Sequence, residues 1–188
     1  MGRANEVGRT YGVSYKETPP NTRKLLTPMA DDPFQHIRAF LAKRTTMTLA
    51  TIGPDGAPHA TDVYYAETGD LELYFASGPG SCHSRNLAHD PRIAATVHAD
   101  STRWRDIRGV QLEGVCSRVT AEERAAAWAR YTAKFSFVLA DAALAGALQK
   151  VDMYRVTPHW LRWIDNTSGL GHNLEWRLED GEWKLRAE

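Results

Sequence analysis

The sequence predicts a mainly β, α+β fold: a small β-barrel of five or six mostly meandering strands with a few peripheral helices. Three observations lead there. From Thr45 to Val119, and again after Val151, most hydrophobic patterning has a period of two, the mark of half-buried strands. The runs are short and separated by Gly, Pro and Asp clusters that favour turns. Helical periodicity is confined to brief stretches, and no internal repeat occurs.

The chain's 188 residues suffice for one domain with a real core. Residues 1–30 are polar and aperiodic and read as an extended arm, leaving 31–188 as the barrel domain. Asp31-Asp32-Pro33 offers an N-cap and a first-turn proline. Phe34, Ile37, Phe40 and Leu41 then share one face of a helix that ends near Arg44. Thr46–Ile52 reads as a strand, and Gly53-Pro54-Asp55-Gly56 as a hairpin turn. A second strand follows from Pro58 to about Ala66, and a third, in meander order, from Leu71 to Ala76.

Beyond the loop Gly78-Pro79-Gly80-Ser81, a short helix covers Ser84–His89 and a strand Arg92–Ala99. Val110–Val119 is a further strand with Gly114 at a bulge, and Thr120 with Glu123 forms a capping box before an alanine-rich helix to about Lys134. Asp141–Gln149 is helical, and Val151–Val156 and Leu161–Asp165 are strands. The tail ends in a hairpin around Asp180-Gly181.

Lys plus Arg equals Asp plus Glu at 23 each, and the basic residues are scattered, which argues against a nucleic-acid partner. No apolar run is long enough to cross a membrane as a helix. The two cysteines, Cys82 and Cys116, and the lack of a signal-like N-terminus suggest a reducing cytoplasm. A barrel of this size is too narrow for a large internal ligand. A ligand therefore belongs outside the barrel or at a subunit seam.

The segment richest in chemistry is Leu73-Tyr74-Phe75-Ala76-Ser77-Gly78-Pro79-Gly80-Ser81-Cys82-His83-Ser84-Arg85-Asn86-Leu87. A strand ends, a glycine loop follows and a helix begins. That arrangement presents backbone N–H groups to an anion, with Ser77, Ser81 and Ser84 supplying hydroxyls, His83 an imidazole and Arg85 a guanidinium. An ordinary serine-capped turn is the plainer alternative.

From Thr46 to about Val119 the order of motifs resembles the pyridoxamine 5′-phosphate oxidase superfamily of FMN-binding split barrels. The matching pieces are Gly56-Ala57-Pro58, Leu73–Ser77, Ser81-x-His83-x-Arg85-Asn86-Leu87, Asp90-Pro91-Arg92-Ile93-Ala94 and Gln111-Leu112-Glu113-Gly114. The C-terminal run from Trp163 to His172 is similar to an uncharacterised subgroup. The resemblance implies a six-stranded antiparallel split β-barrel working as a homodimer, with FMN held between the subunits.

By that resemblance, Thr61, Asp62, Val63 and Tyr64 pass along the flavin ring, and Phe75, Ala76, Ser77, Cys82 and His83 hold its phosphate. In the oxidase proper, an arginine and a lysine stand at the places of Cys82 and His83. Arg85 is the expected replacement for the lost charge. A flavin-contacting glutamine of the oxidase falls at Gly109, so Gln111, two residues on, is its expected substitute. The oxidase's arginines for pyridoxal phosphate and its C-terminal signature have no counterpart, which places the chain outside the oxidase proper.

The implied activity is FMN-dependent redox chemistry on a small-molecule substrate. Coenzyme F420 is an alternative cofactor. Haem binding or degradation, with His172 as a ligand, and a flavin-holding dimer without turnover are alternative functions. No histidine shows a metal-site spacing. Trp163, followed by the glycine-rich run to His172, is expected to stack near the flavin. Trp104, Trp160, Trp163 and Trp176 suit core or seam positions, Glu113 reads as paired with an arginine such as Arg108 or as a buried acid, and the Tyr131–Leu148 stripe reads as core packing.

Overall fold

The computed structural model describes residues 34–186; the expected N-terminal arm and the Asp31-Asp32-Pro33 cap lie outside them. Helix α1 (Gln35–Ala42) buries Ile37, Phe40 and Leu41, the face set by their helical spacing. Strand β1 (Thr46–Ile52) turns Met47, Leu49 and Thr51 inward and leaves Thr46, Thr48, Ala50 and Ile52 facing out. Gly56 takes φ +79° in the turn, where an L side chain would be strained. That turn sets β2 (Pro58–Tyr64) antiparallel to β1, with Thr48 opposite Asp62.

The following strands are β3 (Ala66–Glu67), β4 (Leu73–Ser77), β5 (Arg92–His98), β6 (Arg108–Arg118), β7 (Asp152–Asp165), β8 (Asn173–Glu179) and β9 (Glu182–Arg186), with helix α2 (Cys82–His89) between β4 and β5. All pairings are antiparallel. The order is β2-β1-β5-β6-β7-β4-β3, with β8 and β9 added beside β7. The expected meander of the first three strands is therefore corrected. The strand at Leu73 pairs with β7 and β3, not with β2.

Among the described residues nine strands replace the expected six, because β3 and the β8–β9 hairpin extend the same sheet. The stretches read as two strands, Val151–Val156 and Leu161–Asp165, form one strand, β7. Its register shifts opposite Glu113/Gly114, where Pro158 sits, so a proline is tolerated in a central strand. Gly114 is indeed at that irregularity. A Cβ there would lie 2.9 Å from the Pro158 Cα and closer still to the Thr157 carbonyl oxygen.

The main core joins α1 to the inward faces of β1, β5, β6 and β7 through residues such as Leu49, Val97, Leu112 and Leu161. A second cluster packs Tyr131, Phe135 and Val138 over Ala66, Tyr74 and Met153. It covers the outside of β3 and β4 with helices α3 (Arg124–Lys134), α4 (Phe137–Ala140) and α5 (Ala142–Leu148). Only part of the Tyr131–Leu148 stripe is core: Phe137 and Leu139 are exposed and α5 buries none of its residues. The capping box is made reciprocally, Thr120 N–H to Glu123 and Glu123 N–H to Thr120, both at 3.3 Å. Among the described residues no helix is long and apolar enough to cross a membrane.

Candidate functional site

The barrel is split between β2 and β4. These strands approach each other but exchange no ladder hydrogen bonds. Among the described residues strand β2 pairs only with β1. On β4, the short β3 covers Leu73 and Tyr74 alone, so among the described residues Phe75–Ser77 have no strand partner on the side away from β7. Two stretches of backbone with unpaired polar groups thus flank one gap, a ready-made place for a hydrogen-bonding ligand.

Helix α2 begins at that gap. Ser81 is its N-cap, accepting from the Ser84 N–H at 3.1 Å, and the first-turn N–H groups of Cys82 and His83 have no acceptor within the helix. The His83 Nε2 lies 2.6 Å from Ser77 Oγ. Ser77 Oγ lies 2.9 Å from Ser81 Oγ, Ser81 donates to Ser84 at 2.8 Å, and Ser84 donates to Ser77 at 3.2 Å. Phe75 meets the imidazole edge-on at 6.2 Å. Burial holds the His83 pKa below its ordinary 6.5. Behind the helix, buried Asn86 donates to buried Thr51 at 3.0 Å, tying α2 to β1.

These elements enclose a cavity of about 290 Å³ lined by Thr51, His59, Ala60, Thr61, Cys82 and His83. Its surroundings fit a phosphate-bearing ligand: an imidazole, hydroxyls and a helix start converge there. The loop leaves room as well, since a Cβ at Gly78 or Gly80 would meet nothing within 4 Å. Fixed positive charge is missing. Arg85 is exposed, and its guanidinium bends back onto the Gly80 carbonyl rather than lining the cavity.

Of the expected site residues, Thr61, Cys82 and His83 line this cavity, and Ser77 and Phe75 support His83. Asp62 faces the opposite side of β2 and accepts from Thr48 at 2.6 Å. Val63 is in the core. Tyr64 is half-exposed, its ring 5.3 Å from Phe135. Ala76 packs toward the second cluster, away from Phe75 and Ser77. Gln111 lies on the outer face of the sheet beside Thr48, Ala50 and Trp160. His172 is half-buried in the turn before β8, its Nδ1 buried without a hydrogen-bond partner.

Trp163 takes its core position, which corrects the expected stacking near the flavin. Only 7% exposed, its ring packs against Phe40 at 5.1 Å and His36 at 5.2 Å, because the inward side of β7 is covered by α1; it is closed off from any ligand at the split. Trp160 and Trp176 are also buried, whereas Trp104 is exposed. Glu113 is exposed and unpaired with Arg108, which instead bonds Asp165 at 3.2 Å across the β6–β7 register. Burial pushes the Cys116 thiol up to about 12, which makes it inert.

Sequence reasoning missed His59, Thr51 and Asn86. His59 was legible in principle: it shares the alternating face of β2 with Thr61. Among the described residues no cluster of three or more His, Cys, Asp or Glu side chains is arranged to hold a metal ion.

Comparison with known proteins agrees with this architecture. A UPF0306 protein of Photorhabdus laumondii is 24% identical over 148 residues, covering 79% of this chain and 98% of the relative. A heme-binding protein from Mycobacterium smegmatis superposes with a TM-score of 0.60 at 27% identity, over 74% of this chain and 55% of that one. A pyridoxamine 5′-phosphate oxidase-related, FMN-binding protein from Nostoc punctiforme shares the fold with a TM-score of 0.63 at 14% identity, over 85% and 98% of the two chains. Residues 34–164 match the family described as pyridoxamine 5′-phosphate oxidase, and the chain belongs to that family.

Proposed function

We propose that this protein is a flavin-dependent oxidoreductase that binds FMN at the split of the barrel, acts on a small-molecule substrate and works as a homodimer in the cytoplasm. The observation that carries the reading is the cavity between the unpaired edge of β2 and the start of α2, with His83 oriented by Ser77 at 2.6 Å. His83, Thr61 and the serine hydroxyls would hold the phosphate, and the free backbone of Thr61–Tyr64 would hold the ring. When bound, FMN supplies hydride and single-electron transfer. The protein's part is to orient the flavin and keep water from one face. No side chain in the cavity is assigned as a proton donor or acceptor for substrate. Free Cys82 and Cys116 suit a reducing compartment.

Haem is the second reading, favoured by the resemblance to the heme-binding protein of M. smegmatis. His172 is the residue to test in that reading, because its Nδ1 is buried with no hydrogen-bond partner among the described residues. One experiment separates the readings: titration of the purified protein with FMN, F420 and hemin, followed by absorbance. Saturable FMN uptake, weakened at least about tenfold by His83→Ala, is expected. A Soret band that disappears in His172→Ala, with no flavin uptake, overturns the proposal. Flavin uptake without oxidation of NADH, NADPH or any reducible dye would make it a flavin carrier instead of an enzyme.

A further inference from the structure

Three aromatic rings from separate elements meet at the far end of β2. Tyr64 closes that strand, Phe135 caps the end of α3 and Phe137 opens α4. Their centroids lie 5.3 Å (Tyr64 to Phe135), 6.4 Å (Tyr64 to Phe137) and 5.9 Å (Phe135 to Phe137) apart, at interplanar angles of 74°, 66° and 65°. Rings so steeply inclined to one another form the walls of a corner instead of a closed stack. Phe135 is its buried floor, backed by Tyr131 at 4.9 Å. Tyr64 and Phe137 are its sides, 51% and 53% exposed.

The chemistry of the corner is apolar. Elsewhere a guanidinium covers an outward ring, as Arg105 does Trp104 at 4.6 Å and Arg162 does Trp160 at 5.1 Å. Among the described residues no cation lies over Tyr64 or Phe137. Lys134, next to Phe135 in the chain, is turned inward. It reaches the Leu41 carbonyl at 3.2 Å, pairs with Glu67 and stands 4.3 Å over the Tyr65 ring. The cation beside the corner is therefore already matched.

The corner's place in the fold supplies the rest. Thr61 lines the cavity beside α2. Tyr64 stands three residues further along the same strand, about 10 Å at the rise of a β-strand. With the phosphate beside His83 and the flavin ring along Thr61–Tyr64, the corner borders the ring end of the cofactor.

We propose that Tyr64, Phe135 and Phe137 form the substrate subsite and select an uncharged molecule carrying one aromatic ring, an inference that rests on the flavin reading. Such a ring gains edge-to-face and stacked contacts with these walls. A phosphate or carboxylate there would lose hydration and find no free cation in the walls.

The test titrates benzyl alcohol, benzyl phosphate and cyclohexylmethanol into the full chain, with and without FMN, and reads binding by saturation-transfer NMR. Benzyl alcohol should bind the FMN-loaded protein saturably and at least about fivefold tighter than either of the other two. Phe137→Ser should weaken it about fivefold or more, and Phe137→Trp should keep it. Both variants should bind FMN as the parent does, which also shows that they are folded. FMN uptake without saturable binding of benzyl alcohol overturns the proposal. So does equal binding of benzyl phosphate or cyclohexylmethanol, or binding that Phe137→Ser leaves unchanged. A parent dimer that Phe137→Ser turns into a monomer overturns it as well, because a second copy then covers the corner. Benzyl alcohol binding that Phe137→Ser removes, in a chain that takes up no FMN, supports the aryl subsite and overturns the flavin reading alone.

Discussion

His83 is the residue on which the candidate site turns, and its chemistry makes it sensitive to pH. Burial lowers its folded pKa below 6.5, so keeping it neutral contributes stability that is present above 6.5 and lost progressively as pH falls below that value. Burial lowers His36 in the same direction, so the His83 share is isolated by comparison with His83→Gln. A bound phosphate dianion reverses the preference, because it favours the imidazolium. FMN affinity should therefore rise as pH falls from about 8 to about 6, and His83→Gln should flatten the profile. A parent profile as flat as the variant's would remove His83 from phosphate binding. Restoring charge with Cys82→Arg and His83→Lys should tighten FMN binding by about 1.5–3 kcal/mol, measured by fluorescence quenching at neutral pH.

Among the elements, the β6–β7 pair depends on one small residue. Gly114 lies where the register shifts, and any side chain there meets the Pro158 Cα and the Thr157 carbonyl. Both are backbone in a paired strand and cannot rotate away. Gly114→Ala should cost about 1–3 kcal/mol and lower the melting temperature by several degrees, on the scale of about 2–4 °C per kcal/mol. A thermal melt matching the parent would show that the strand yields there. The long β7 that results carries β4 on one half of its edge and β8 on the other. It thereby leaves β4 opposite β2 at the split.

At the scale of the whole molecule, the proposed homodimer would pack through the outer sheet face. Ala50, Ala60 and Ala94 are small and outward-facing, with Thr48, Thr96 and Gln111 around them and Trp160 beneath Arg162 at 5.1 Å. Small side chains on a sheet face permit close approach of a second sheet, and a two-fold axis would use the patch twice. Ala94→Arg should give a monomer by analytical ultracentrifugation where the parent sediments as a dimer. A parent that sediments as a monomer would sink the seam.

Strand positions were legible in the sequence because alternation and turn chemistry are local. The bounds of β1, the glycine turn, the Thr120–Glu123 box and the Asp180-Gly181 hairpin depend on neighbours within a few residues. So did the loop-to-helix character of Ser77–His83, whose serine and histidine already suggested an anion. Pairing is a different matter: whether β4 joins β2 or β7 depends on contacts some 80 residues apart in the chain, which periodicity does not encode. The same limit explains Trp163, whose fate under α1 was decided by which face of β7 the helix covers, and Glu113, whose expected partner was taken by Asp165. Only the folded chain shows that β2 and β4 fail to zip together, and that gap, a long-range product of sheet order, makes the local motif a candidate site.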